Sequence, residues 1–410
     1  MANRDCIADV LIVGGGPSGL AAALALRQRG AEVTVADAMA PPVDKACGEG
    51  LMPDALEELR QLGVELSSND GAVFRGIRFV GCAEEDSSPE IAAEARFLPR
   101  AERDNGWSSN SPAAPLRAHE ALGVKRPLLH RRLVTAAENA GVRLCWNAPV
   151  QLLPEGAVRV GGEHWSYGCL VGADGQGSRV RRWAGLDAGN ELSRRFGFRQ
   201  HFRVEPWADS VEVHWGRSGQ AYVTPVADDE VCVATITCDP HCRLDALLEE
   251  LPWLRRRLLG ATLPHRAVPV GTDRERGALT TTRRLRHVAA GCVALIGDAS
   301  GSADAITGEG MAMAFRQARL LADCLTHLPQ AEALMRYDRR HPAILRLPQR
   351  MAQTMLLMDR WPSLGRRAIR ALAADPQLFT RLLGVHVGAE SLGHFAATRG
   401  PELAWRLATA

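Results

Sequence analysis

The sequence has little of what marks a secreted, membrane-spanning or nucleic-acid-binding chain. No run approaches the ~18 consecutive apolar residues that a bilayer-crossing helix requires, and the first apolar run, residues 10–13, ends at glycine. Residues 1–6 carry no basic leader followed by an apolar segment and cleavage site, which predicts a cytoplasmic protein. Ten cysteines are scattered over 410 residues, so reduced thiols are expected rather than a disulfide framework. Cys238 and Cys242 form the one cluster, and it lacks a second ligand pair at zinc-finger spacing, so no metal is expected. A net charge of +2, from 49 basic and 47 acidic side chains, leaves no one-signed footprint for nucleic acid. What remains is an ordinary globular composition, 46% hydrophobic, long enough for two or more domains.

The amino-terminal end carries the clearest motif. Residues 8–13 (ADVLIV) read as a buried parallel strand, followed at once by GGGPSG at residues 14–19. A helix is expected from about Pro17 to Arg29, stopped by Gly30, and a second strand over residues 32–36 ends at Asp37. Strand, glycine turn, helix, strand and acid in this order form a dinucleotide-binding βαβ unit. Gly14 permits the tight turn, Gly16 lets backbone approach a pyrophosphate, and Gly19 lets helix pack on strand. Ser18 stands at the helix start, whose free N–H groups and dipole favour phosphate. Asp37 is placed to accept from a ribose hydroxyl.

Two later segments, residues 170–182 (LVGADGQGSRVRR) and 293–311 (VALIGDASGSADAITGEGM), each follow an apolar strand. Together with the glycine turn they resemble the flavin signatures of the p-hydroxybenzoate hydroxylase and geranylgeranyl reductase superfamily. The resemblance implies a Rossmann-like α/β FAD-binding domain, an inserted β-sheet substrate domain and a helical carboxy-terminal tail. It implies non-covalent FAD, with Gly297 and Asp298 near the ribityl chain and Gly308, Glu309, Gly310 and Met311 along the isoalloxazine ring. Asp174 and Gly175 would support the FAD site from behind and relate to use of NADH or NADPH. Arg126 matches the arginine that reaches FAD phosphates in this family, with Arg131 and Arg132 as alternatives.

If the resemblance holds, the FAD domain is discontinuous over residues 1–72, 114–185 and 276–330. Residues 73–113 and 186–275 then form the substrate domain, since 196–204, 209–215, 220–226 and 231–237 read as strands separated by turns. Residues 83–115 are polar and without period, and read as a long mobile loop. From Pro329 onward apolar spacing turns helical, with breaks expected at Pro342, Pro348, Pro362 and Pro376. Met351, Met355 and Met358 share one face of this region, either as core or as an adaptable apolar wall for a greasy substrate. Arg366, Arg367 and Arg370 would then be solvated or near a membrane surface.

The segment Cys47-Gly-Glu-Gly-Leu resembles the Cys-Gly-Gly-Gly-Leu run that lies near the flavin in geranylgeranyl reductases, and otherwise reads as a plain turn. Cys47 and Glu49 would be the polar groups at hand. Arg199, His201 and Tyr222, on adjacent strands, are the candidates for polarising a substrate hydroxyl. The prenyl reductases' aromatic-x-Trp-x-Phe-Pro motif is replaced here by Gln220-Ala-Tyr-Val-Thr-Pro225, and Ser300-Gly301 and Ala305 stand where aromatic hydroxylases often carry His and Pro. A halogenase Trp-x-Trp-x-Ile-Pro motif is absent. The first expectation is an NAD(P)H-using monooxygenase that hydroxylates a phenolic or polyketide-derived aromatic, possibly lipid-tailed, through a C4a-hydroperoxyflavin. The alternatives are a reductase or dehydrogenase of a prenyl or other lipid, and a flavoprotein that modifies a side chain of a partner polypeptide. Oligomeric state leaves no trace in the sequence.

Overall fold

The computed structural model describes residues 6–81, 91–98, 116–259 and 274–409. Its central element is the strand Cys6–Val13, in the middle of a parallel sheet ordered Val293–Leu295, Glu163–Gly172, Cys6–Val13, Val33–Ala36, Arg143–Cys145. Alternate residues of that strand serve opposite faces. Val10 and Ile12 pack with the helices Pro17–Arg27, Arg126–Asn139 and Gly310–His327. Leu11 packs with Val158, Leu170, Val180 and Leu295. A strand covered on both sides needs an uninterrupted apolar run rather than alternation, which is what residues 8–13 supply.

The second sheet has seven strands, ordered Arg276–Leu285, Gly189–Phe202, Glu230–Thr237, Gly219–Ala227, Val211–Trp215, Gly76–Gly81, Ala92–Arg96. One face packs Phe202, Val223 and Val233 against Leu244, Leu247, Leu254 and Leu258 of two short helices. The opposite face carries Phe79, Val213 and Trp215 against Met358, Ile369, Leu372, Phe379 and Leu383. These come from the helices Gln330–Arg360, Pro362–Ala373 and Pro376–His386. A three-stranded sheet, Gly50–Leu51, Ala121–Gly123 and Ala72–Phe74, joins the two layers. It lies so close to the large sheet that a Cβ on Gly123 would stand 1.7 Å from the Pro225 carbonyl oxygen. Among the described residues, no helix is long and apolar enough to cross a membrane.

Three sequence expectations are corrected. Pro362 and Pro376 do begin new helices, but Pro342 and Pro348 lie inside the helix Gln330–Arg360. Each interior proline costs about 3 kcal/mol. The buried residues Leu334, Tyr337, His341, Leu345, Pro348 and Ala352 are spaced three and four apart, and that continuous stripe holds the helix through both prolines. Within the segment read as a mobile loop, Ala92–Arg96 is a strand paired antiparallel with Gly76–Gly81, while residues 82–90 and 99–115 lie outside the described residues. The strand Arg276–Leu285 belongs to the seven-stranded sheet, paired with Gly189–Phe202, although its residues were grouped with the FAD domain.

Candidate active site

Gly14, Gly16 and Gly19 form the turn at the carboxyl end of Cys6–Val13, and each meets a different constraint. Gly14 has φ +112°, and a Cβ there would stand 2.5 Å from the Ala173 carbonyl oxygen. A Cβ on Gly19 would stand 1.9 Å from the Gly14 oxygen, so the helix can pack here only as glycine. Around Gly16 there is nothing within 4 Å: the chain itself does not require glycine there, and the space is open at the amino terminus of Pro17–Arg27. Asp37 accepts from the Gly15 amide at 2.7 Å and from the Met39 amide at 2.8 Å, which ties the second strand to the turn. His130 holds the other side. Its Nδ1 accepts from the Val43 amide, so Nε2–H donates to the Gly15 carbonyl at 2.8 Å. Burial lowers the His130 pKa, which keeps the ring neutral.

The turn Gly297–Ser300 faces this helix. A Cβ on Gly297 would stand 2.3 Å from Ser18 Oγ. Asp298 is part-exposed, with Lys45 Nζ 3.5 Å from its Oδ2. Gly308, at φ +70°, and Gly310 have nothing within 4 Å of an added Cβ and line the same cavity as Ser18, Lys45, Asp298 and Met311. Glu309 instead turns into the protein, only 2% exposed. Its Oε2 has no hydrogen-bond partner and stands 3.5 Å from His386 Nδ1. Burial first, then the neighbouring Asp54 charge, pushes the Glu309 carboxyl up to about 8. Burial also pushes Asp54 up, against Arg316 at 2.6 Å, and pushes His386 down.

The Cys47 segment brings the remaining candidates together. Cys47 lines the cavity, and its Sγ accepts from the Glu49 amide at 3.4 Å. Glu49 is 1% exposed and sits at φ +58°, a conformation that favours glycine. This is the position at which the reductase run carries its middle glycine. Glu49 Oε1 accepts from the Arg126 amide at 2.9 Å, and Oε2 lies 2.6 Å from His201 Nε2. Arg199 can only donate, so its 3.0 Å contact makes His201 Nδ1 the acceptor and puts the ring proton on Nε2, toward Glu49. Arg199 also donates to Asp44 at 2.6 Å, and Asp44 pairs with Arg276 at 2.6 Å. The Cys232 thiol, held well above its ordinary pKa by burial, donates to the Cys47 carbonyl at 3.7 Å. Glu49, His201 and Cys232 offer ligand-type atoms within 4.8 Å of one another, and the Nε2 proton already occupies the contact between two of them.

Tyr222 and Arg199 are not on adjacent strands as expected, because Glu230–Thr237 lies between their strands. Both pair with Ala234, one from each side, so they share the cavity face across a small residue. Tyr222 donates its hydroxyl to the Ile306 carbonyl at 2.8 Å, and burial holds its pKa above the ordinary value. Arg126 lines the cavity, with its Nε buried and unpartnered, whereas Arg132 is bound to Asp70. Asp174 accepts from the Arg179 amide at 2.6 Å and the Val180 amide at 3.1 Å, capping the helix Arg179–Trp183. Gly175, at φ +77°, is the turn that permits this cap.

The cavity has a volume of about 670 Å³ and runs from the Pro17 helix start to the carboxy-terminal helices. Beyond Tyr222 its wall is Phe79, Val213, Met355, Met358, Phe379 and Leu383. Met351 joins them, so the methionine face is a cavity wall. Sequence reasoning missed Lys45, His130, Asp44 and His386. Lys45 and Asp44 lie just before the Cys47 segment and His130 lies on the helix that Arg126 begins, but nothing local tells which side chains turn toward the site.

A family model described as an FAD binding domain matches residues 7–346. The chain belongs to this family. It is an FAD-dependent oxidoreductase of the p-hydroxybenzoate hydroxylase and geranylgeranyl reductase superfamily. The flavoprotein is 28% identical over 344 residues to a menaquinone reductase of Mycolicibacterium smegmatis, covering 78% of this chain and 76% of that protein. It is 24% identical over 353 residues to a digeranylgeranylglycerophospholipid reductase of Methanocella arvoryzae, covering 80% and 81%. The solved structure of a 2-methyl-3-hydroxypyridine-5-carboxylic acid oxygenase shares the fold, with a TM-score of 0.66 at 21% identity over 87% of this chain and 93% of that one. The residues present fit FAD. The open faces of Gly16, Gly308 and Gly310 form a cradle that any side chain would fill, a helix amino terminus points into it, and Arg126 Nε is an unpaired donor on its wall.

Proposed function

We propose that this flavoprotein is a reductase that adds two hydrogens across a double bond of an isoprenoid or similarly apolar lipid. The observation that carries the reading is the wall of the cavity: methionine, phenylalanine, leucine and valine side chains between the seven-stranded sheet and the carboxy-terminal helices. An apolar chain of substrate would find matching surface there, at roughly 25 cal/mol per Å² buried. Arg199, His201 and Tyr222, the candidates for polarising a phenol, direct polar atoms at Asp44, Glu49 and the Ile306 carbonyl instead. The names of the two reductase relatives, each aligned over more than three quarters of this chain, support the same chemistry.

FAD, when bound, supplies the hydride chemistry. This chain's residues orient the substrate and exclude water, and Glu309, protonated up to a pH of about 8, holds a proton behind the cavity wall, 3.5 Å from Nδ1 of the wall residue His386. Cys47 and Glu49 shape a turn on the cavity wall that would border the bound flavin, and Glu49 is held there by His201 and the Arg126 amide. The test is reoxidation of anaerobically reduced enzyme by a chain-length series of polyprenyl lipids. The reading expects reoxidation to speed with chain length and to fail with fully saturated analogues. Equal rates with and without the double bonds contradict it.

A second reading, hydroxylation of a phenolic substrate, is favoured by one observation. Where prenyl reductases carry their aromatic motif, Gln220 is locked into a buried network with Arg195 and Asp359. Incorporation of labelled oxygen into product selects that reading.

A further inference from the structure

Behind the Gly297–Ser300 turn lies a second cavity, of about 450 Å³, that the proposed reaction does not use. Its walls come from residues 284–286, Val288, Ser300 and the middle of the helix Gln330–Arg360. Four guanidinium groups surround it: Arg284, Arg286, Arg346 and Arg350. Its one carboxylate, Asp338, is already held by His287 Nδ1 at 2.8 Å and the Val288 amide at 2.6 Å. Arg284 rests on Gln349 Oε1 at 2.7 Å, and the side chains of Arg286, Arg346 and Arg350 have no acidic partner among the described residues. A second, independent feature points the same way. Gln349 is 7% exposed, and its Nε2, a donor, is buried with no partner. His341 closes the floor. Ser300 Oγ donates to the Gly297 carbonyl at 2.8 Å, so it accepts from His341 Nε2–H at 2.9 Å. One side of the Gly297–Ser300 turn therefore presents Asp298 to the large cavity and the other presents Ser300 to this one.

We propose that this cleft is a binding site for a phosphate-bearing anion, and that its occupant is the phosphate portion of the pyridine nucleotide that reduces the flavin. Several guanidiniums lining one concavity, against a single carboxylate already hydrogen-bonded to His287 and the Val288 amide, favour an anion there. The cleft and the large cavity lie on the two sides of the same Gly297–Ser300 turn, and the proposal requires the reactive end of the reductant to reach the flavin site around that turn. The site stands whether the substrate is a prenyl lipid or a phenol.

The test uses the FAD-loaded enzyme and the double variant Arg346→Ala/Arg350→Ala, both positions being exposed on the helix surface. Titration calorimetry with inorganic pyrophosphate should show one site per chain that weakens with salt, and at least tenfold weaker binding in the variant at unchanged flavin content. Anaerobic reduction should show an apparent Kd for NADPH raised by a similar factor, with the limiting reduction rate unchanged. If pyrophosphate binding falls while NADPH binding stays constant, the anion site holds and its occupant is a free phosphate compound. Equal pyrophosphate affinity in the two proteins, or an adventitious ion only, seen as binding without defined stoichiometry, overturns the proposal.

Discussion

Glu49 stands 2.6 Å from His201 through Oε2 and Nε2 while its own backbone occupies the left-handed region at φ +58°. A residue with a Cβ pays about 1–2 kcal/mol for that conformation, and here the two hydrogen bonds, to His201 and to the Arg126 amide, offset it. Glu49→Gly should therefore keep near-parental stability in urea, relieving the backbone while losing the bonds. Glu49→Ala keeps the backbone cost and loses the bonds, so it should be destabilised relative to Glu49→Gly by about 1 kcal/mol or more. Equal stability of the two variants contradicts the strain argument.

The glycine turn separates folding from binding. Gly16→Val should fold, because nothing lies within 4 Å of its Cβ position, yet it should retain no FAD. Gly19→Ala should fail to fold or be strongly destabilised, since its Cβ meets the Gly14 oxygen. Circular dichroism with flavin absorbance distinguishes the two. Flavin retained by Gly16→Val removes the assignment of that open space.

Asp298→Ala should weaken FAD with little change in fold, since the carboxylate is part-exposed and, among the described residues, pairs with Lys45 alone. The loss of a charged hydrogen bond is worth about 1.5–3 kcal/mol, or roughly tenfold to a hundredfold in Kd. Asp37→Ala should weaken FAD too and also loosen the turn, because it frees the Gly15 and Met39 amides. An unchanged Kd in either variant shows that the residue does not serve the cofactor.

Glu309 gives the protein a pH dependence of defined sign. Its carboxyl keeps a proton up to about pH 8 in the fold, against 4.5 in the unfolded chain. The folded state therefore binds more protons between those values, and stability falls as pH rises through that window. The groups facing it are Asp54, which opposes its ionisation, and Arg316 and Thr307, which favour it, with His386 alongside. Thermal unfolding from pH 5 to 8 should show a decline that Glu309→Gln flattens. An equal slope in the variant assigns the decline to other groups.

Much of the glycine geometry was legible because backbone requirements are local. A tight turn, a close helix contact and an open phosphate cradle each demand glycine at fixed spacing, and residues 14–19 and 308–310 announce them. Glu49 was legible as a candidate, but its partner His201 lies 152 residues away and meets it only through the packing of two sheets. The placement of Tyr222 failed for the same reason: strand order within an inserted sheet is set by tertiary packing, and Glu230–Thr237 came between. The interior prolines were misread because the local breaker rule ignores the buried stripe from Leu334 to Ala352 that outweighs it. Asp174 was expected to support the FAD site from behind, while its use as a helix cap depends on where Ser178 and Arg179 turn.

The central claim is reduction of an apolar double bond without oxygen. The most direct measurement is product mass after anaerobic incubation of the FAD-loaded enzyme with NADPH and a polyprenyl quinone, repeated under labelled oxygen. The account predicts a product that, after air reoxidation of its quinol head to the quinone, is still heavier by two hydrogen atoms carried on the prenyl chain fragment, formed anaerobically and free of label. No hydrogenated product without oxygen, and labelled oxygen in the product formed with it, would contradict the account and leave hydroxylation in its place.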